Sequence, residues 1–154
     1  MNTLQRLAGA LALIAGLCGC VTQQQKDLQA IEKFKKDTAG QYQSDSGAQL
    51  FIVPVRSRMV TDEAMYVERS DAHGAVGRLL DLKMSADGKK VLLLALTFTQ
   101  EGQWRNLREN PELFTALLPK DVRPAGTCEI QPAPDLNSVN YSCSGSKPEL
   151  FIRR

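Results

Sequence analysis

The chain predicts a mainly β domain, an antiparallel barrel or strongly curled sheet carrying an N-terminal helix and one short helix. Three features point there. About seven short apolar runs follow one another, most of them separated by turn-forming residues. Ala86-Asp87-Gly88-Lys89 has the chemistry of a tight hairpin turn. Helical signals are confined to Lys26–Thr38 and a brief stretch after Pro111. A sheet of so many strands hides its edges by curling into a barrel or a sandwich.

Met1 to Gly19 precedes that domain and has the three parts of an export signal: a basic start at Arg6, an apolar stretch from Leu7 to Leu17, and a small residue at Gly19. The apolar stretch is well short of the roughly 20 residues that span hydrocarbon. Leu17-Cys18-Gly19-Cys20 resembles the bacterial lipobox, in which Leu stands three before the modified cysteine and Gly or Ala just before it. Cys20 fits that frame; Cys18 does not, since Leu17 would then take the small-residue position. The alternative is an ordinary secreted protein with a free cysteine near its start. Lipid on Cys20, at about 0.8 kcal/mol per buried methylene, implies a membrane anchor that does not span. Val21, where an Asp would retain the protein in the inner membrane, points by resemblance to that sorting rule to the outer membrane, inner leaflet, facing the periplasm.

Removing nineteen residues from 154 leaves 135: a short lipidated tether at 20–25 and a single domain at 26–154. The formal charge falls from +2 to +1 with both signs interspersed, so no nucleic-acid partner is expected. With Cys18 lost and Cys20 acylated, Cys128 and Cys143 remain, and in an oxidising compartment the pair reads as a disulfide. A redox or metal-binding pair is the alternative, with no His or further Cys nearby to support it.

Within the domain, Leu28, Ile31 and Phe34 recur against Lys33, Lys35 and Lys36, giving an amphipathic helix that Gly40 ends. It lies either on its own domain or on a membrane. Leu50-Phe51-Ile52-Val53 is a strand interrupted by Pro54, which suggests an edge or a bend. Met65–Arg69, Val76–Met84 and Val91–Thr99 follow as strands, then a short helix from Pro111 to Leu118 with Asn110 as its cap. Thr127–Gln131, Val139–Cys143 and Leu150–Ile152 complete the strands.

Strand parity locates a candidate site. Between Val76 and Met84, Arg78 shares the apolar face with Leu80 and Leu82. If the hairpin centres on the Asp71–Gly74 turn, Glu68 falls opposite Arg78 and Tyr66 opposite Leu80, all facing inward. A slip of one residue would send Glu68 outward. Val91, Leu93, Ala95 and Thr97 then face inward, leaving Leu92, Leu94, Leu96 and Phe98 as an outer row. That row calls for a cover: one of the two helices or, through this face, a second copy in a homodimer. An inward Tyr66, Glu68 and Arg78 either line a small-molecule cavity or form a buried ion pair that fixes register.

Gly40-Gln41-Tyr42, Met65-Tyr66-Val67-Glu68-Arg69, Arg78-Leu79-Leu80-Asp81-Leu82, Gly126-Thr127-Cys128-Glu129 and the later Cys143 resemble, in order, the landmarks of the CpcT/CpeT type of bilin chromophore lyase. The resemblance implies a lipocalin-like barrel, often dimeric, with a cavity for a bilin-like open-chain tetrapyrrole. It would place Tyr66, Glu68 and Arg78 in that cavity and pair Cys128 with Cys143. Beyond this resemblance, no lyase or other catalytic residue is expected and no resident cofactor or metal.

His73, the sole histidine, reads as a solvated turn residue, and no metal-ligand spacing, phosphate loop or nucleophile elbow occurs. Trp104, near Arg105 and Arg108, reads as a core anchor or a rim contact. Two functions emerge as expectations: a membrane-anchored barrel binding a small, apolar or tetrapyrrole-like ligand, or an envelope interaction and assembly lipoprotein with a closed core.

Overall fold

A computed structural model describes residues 22–60, 63–100 and 107–154. The signal at 1–19, Cys20 and Trp104 lie outside the described residues. The elements are helix α1 (Gln23–Thr38) and strands β1 (Gly40–Gln43), β2 (Gln49–Val55), β3 (Ala64–Asp71), β4 (Gly74–Met84), β5 (Val91–Phe98), β6 (Val122–Pro132), β7 (Ser138–Cys143) and β8 (Glu149–Arg153). Each strand pairs antiparallel with the next, and β8 returns to β1, closing an eight-stranded barrel. Closure gives every strand a partner on each side, which removes the edge strands of an open sheet.

The β3–β4 register differs from the sequence expectation by one residue. Asp71 pairs with Gly74 across a two-residue turn, Ala72-His73, so Tyr66 faces Leu79, Val67 faces Arg78 and Glu68 faces Gly77. The Asp71 carboxylate accepts from the His73 backbone N–H at 2.8 Å and tightens this turn. Side chains alternate across a strand, so the slip separates the expected trio: Arg78 stays inside, whereas Tyr66 and Glu68 point outward.

Alternation produces two apolar clusters. The inner one joins Tyr42, Leu50, Ile52, Met65, Val67, Leu80, Leu82, Leu93, Ala95, Ile130, Val139, Tyr141 and Phe151, and fills the barrel. The outer one joins Val55, Ala64, Tyr66, Leu79, Phe98 and Val122 with Leu107, Phe114 and Leu117 from the segment laid over this wall. Thus Leu96 and Phe98 of the outer row are covered, while Leu92 and Leu94 remain 44% and 36% exposed. The cover carries the short helix expected after Pro111, in 3-10 rather than α form. It is two 3-10 turns, Pro111–Ala116 and Pro119–Asp121, and the Asn110 side chain makes no cap bond. Burying Phe114 and Leu117 in full contributes about 1.5–3 kcal/mol each, which outweighs weak local helicity.

Helix α1 plugs one end of the barrel. It starts at Gln23, inside the stretch expected as tether, because Thr22 and Gln25 form a reciprocal capping box. Ile31 joins the inner cluster and Phe34 packs against it. Lys35 bridges Glu63 at 2.8 Å and Glu32 at 2.7 Å. At the same C-terminal end of α1, Arg153 donates to the Asp37 carbonyl at 2.8 Å and the Ala39 carbonyl at 3.0 Å, a cation set on the negative end of the helix. The Tyr42 hydroxyl accepts from Arg153 at 2.7 Å and donates to the Thr38 carbonyl at 2.8 Å. The helix therefore lies on its own domain.

Strand β6 starts five residues before the expected Thr127. A β-bulge sets Ala125 and Gly126 against Ala95, between the Leu96–Pro124 and Leu94–Thr127 pairs, and Gly126 takes it up at φ 88°. Cys128 and Cys143 sit directly opposite each other on β6 and β7 and form the expected disulfide.

Candidate functional site

Tyr66 packs against Gly77, where a Cβ would come within 2.4 Å of the Tyr66 Oη. Phe114 packs on its ring at 5.0 Å and Phe98 at 6.4 Å. Its hydroxyl donates to the Glu68 carboxylate at 2.8 Å. Burial, reinforced by that carboxylate, pushes the phenol well above its ordinary value, so it stays a neutral donor. With ring contacts on its faces and one committed hydrogen bond, this pair secures the outer cover rather than a cavity.

Arg78 points into the barrel near the end opposite α1. Its Nη1 donates to the Gly77 carbonyl at 3.0 Å and to Thr97 Oγ1 at 3.2 Å. Close by, Arg69 pairs with Glu149 at 3.0 Å and with Asp71, and Ser46 donates to Glu149 at 2.9 Å. Against burial, which raises it, the hydrogen bonds from Ser44, Ser46 and Arg69 hold the Glu149 carboxyl below its ordinary value. Tyr141 is pushed up by burial despite the positive charges of Arg78 and Arg69. The Arg69, Asp71, Glu149 and Ser46 contacts cross-link this end into a polar lid, and Arg78 lies beside it, bonded to Gly77 and Thr97 and sharing Tyr141 as a neighbour with Arg69. His73 is exposed in its turn, as expected, and among the described residues no group of three His, Cys, Asp or Glu is placed to hold a metal.

The roomiest apolar feature described lies in the barrel wall at the α1 end. The β5–β6 ladder stops at Leu93 opposite Cys128. Beyond it Val91 and Leu92 pair only with β4, and Glu129–Pro132 only with β7. The two strands part there over a slot of about 470 Å³. Phe34 of α1 lines it together with Val91, Leu92, Leu93, Leu94 and Ile130, and Lys90, Glu129 and Gln131 stand on its rim. That volume is within the roughly 300–1,000 Å³ of small-molecule sites. Sequence parity came close to this slot in asking what covers the outer row: the two leucines left uncovered line it. It gave no sign that the ladder would end early.

This geometry defines a class: a small closed antiparallel barrel, stoppered by its own N-terminal helix, with a buried apolar cluster inside and an apolar slot in its wall. Comparison with protein-family models, curated proteins and solved structures finds no match to this chain.

Proposed function

We propose that this chain is a lipid-anchored protein of the bacterial envelope, held at the outer membrane through Cys20, that binds a small apolar ligand in the slot between β5 and β6. The observation that carries the binding is the slot itself, an apolar recess opened by strand separation and backed by Phe34. The anchor rests on the lipobox frame around Cys20. A tethered protein needs no apolar exterior to stay at a membrane, so the exposure of Leu92 and Leu94 asks for another explanation, which an occupant of the slot supplies.

The test is titration with a neutral solvatochromic dye such as Nile red. Leu94→Asp, at an already exposed position, sets a carboxylate against the apolar lining and should weaken binding at least tenfold, about 1.4 kcal/mol. Arg78→Leu, beside the polar lid, should leave it unchanged. Equal binding by wild type and Leu94→Asp would overturn the site. The second reading, an interaction lipoprotein without a ligand, is favoured by the filled barrel interior. It predicts capture of an envelope partner or self-association with no dye uptake. Mass spectrometry of the mature amino terminus tests the anchor independently.

A further inference from the structure

Resting on the slot as a binding site, we infer that its ligand is a single-chain anionic amphiphile of the fatty-acid type, whose tail occupies the slot and whose carboxylate pairs with Lys90. The slot follows the chain from Lys90 into β5 as far as Leu94, four residue steps, or about 13 Å at the rise of a strand. A run of that length along one strand suits one extended chain. Its two ends differ. Toward the middle of the barrel it ends against the resumed ladder, at the Leu93–Cys128 and Leu94–Thr127 pairs. Toward the hairpin it opens at Lys90, whose side chain is exposed on the rim.

Among the described residues Lys90 makes no salt bridge. Asp87 lies within its electrostatic reach but is committed to the hairpin, accepting from Ser85 Oγ at 2.6 Å and from the Lys89 backbone N–H at 3.2 Å. Neighbouring Lys83 is neutralised by Asp81 at 3.0 Å. Lys90 is thus a cation at the open end of an apolar channel, the arrangement that an acyl chain with a carboxylate head complements. Glu129, also on the rim, belongs to β6, so an anionic head is favoured on the Lys90 side of the opening.

The experiment is calorimetric titration of the full chain with dodecanoic acid and, in parallel, dodecanol below their aggregation limits. The acid should bind about fivefold or more tighter than the alcohol. Lys90→Gln should erase that difference, Lys90→Arg should restore it, and rising salt should narrow it. Equal affinity for acid and alcohol in wild type, or an acid preference that survives in Lys90→Gln, would overturn the inference while leaving the slot as a site. Binding of neither would sink the slot reading, and the inference with it.

Discussion

Replacing Gly77 with alanine tests the register that separates Tyr66 and Glu68 from Arg78. The added Cβ would lie 2.4 Å from Tyr66 Oη, 2.9 Å from Cε2 and 3.0 Å from Cζ. Tyr66 has little room to yield, being 3% exposed with Phe114 and Phe98 packed on its ring. Overpacking of this kind costs about 1–3 kcal/mol. A Gly→Ala change also restricts the unfolded chain, offsetting about 0.4–1 kcal/mol where the backbone tolerates it. Mid-range values leave a net loss of about 1.3 kcal/mol, with an upper limit of about 2.6 kcal/mol, or roughly 4 °C in melting temperature at mid-range for a domain of this size. Thermal and urea melts of Gly77→Ala, Tyr66→Phe and the double variant measure it. Removing Oη takes away the nearest clash, so the double variant should be at least about 0.5 kcal/mol more stable than the sum of the single changes implies. Had Glu68 stood opposite Arg78, the new methyl would point away from Tyr66. Gly77→Ala as stable as wild type, and additive with Tyr66→Phe, would refute the observed register.

Reducing the Cys128–Cys143 disulfide, or replacing both cysteines with serine, frees a link across a sequence separation of 15 and should cost about 3 kcal/mol on the chain-entropy model, read as a lower melting temperature. Arg153→Ala removes the donors that hold the end of α1; amide exchange should accelerate in its last turn, and dye binding should weaken because Phe34 backs the slot. The Glu149 carboxyl is held below its ordinary value of 4.5, so its contribution to stability is complete above that value and lost as pH falls through the depressed one. Glu149→Gln should accordingly lower stability near neutral pH and flatten its decline in acid, as followed by denaturant melts at stepped pH.

Much of the fold was legible because alternation is a strong signal in strands whose two sides meet different surroundings. The inward set Leu93, Ala95 and Thr97, the outward position of Leu96 and Phe98, and the helix through Ile31 and Phe34 all follow from it. What escaped was what alternation does not encode. Strand β1 is four residues long, with one buried side chain, Tyr42, to announce it. The first part of β6 contains Pro124 and Gly126, which read as loop residues until a bulge accommodates them. Register between β3 and β4 turned on whether the turn has two residues or more, and one residue of difference moved Glu68 to the other side of the wall. The site followed that error: Arg78 was correctly inward, but its expected partners belong to the outer cover. The slot arises where two strands fail to pair, a property of neither strand alone.

Photocrosslinking with a dodecanoic acid analogue that carries a diazirine on its tail, followed by peptide mapping, addresses the wall slot most directly. Adducts should fall on Phe34, on Val91 to Leu94 and on Ile130, and excess unlabelled acid should suppress them. Adducts centred on Arg78 and Tyr141 at the opposite end, or labelling that unlabelled acid does not compete away, would contradict the account.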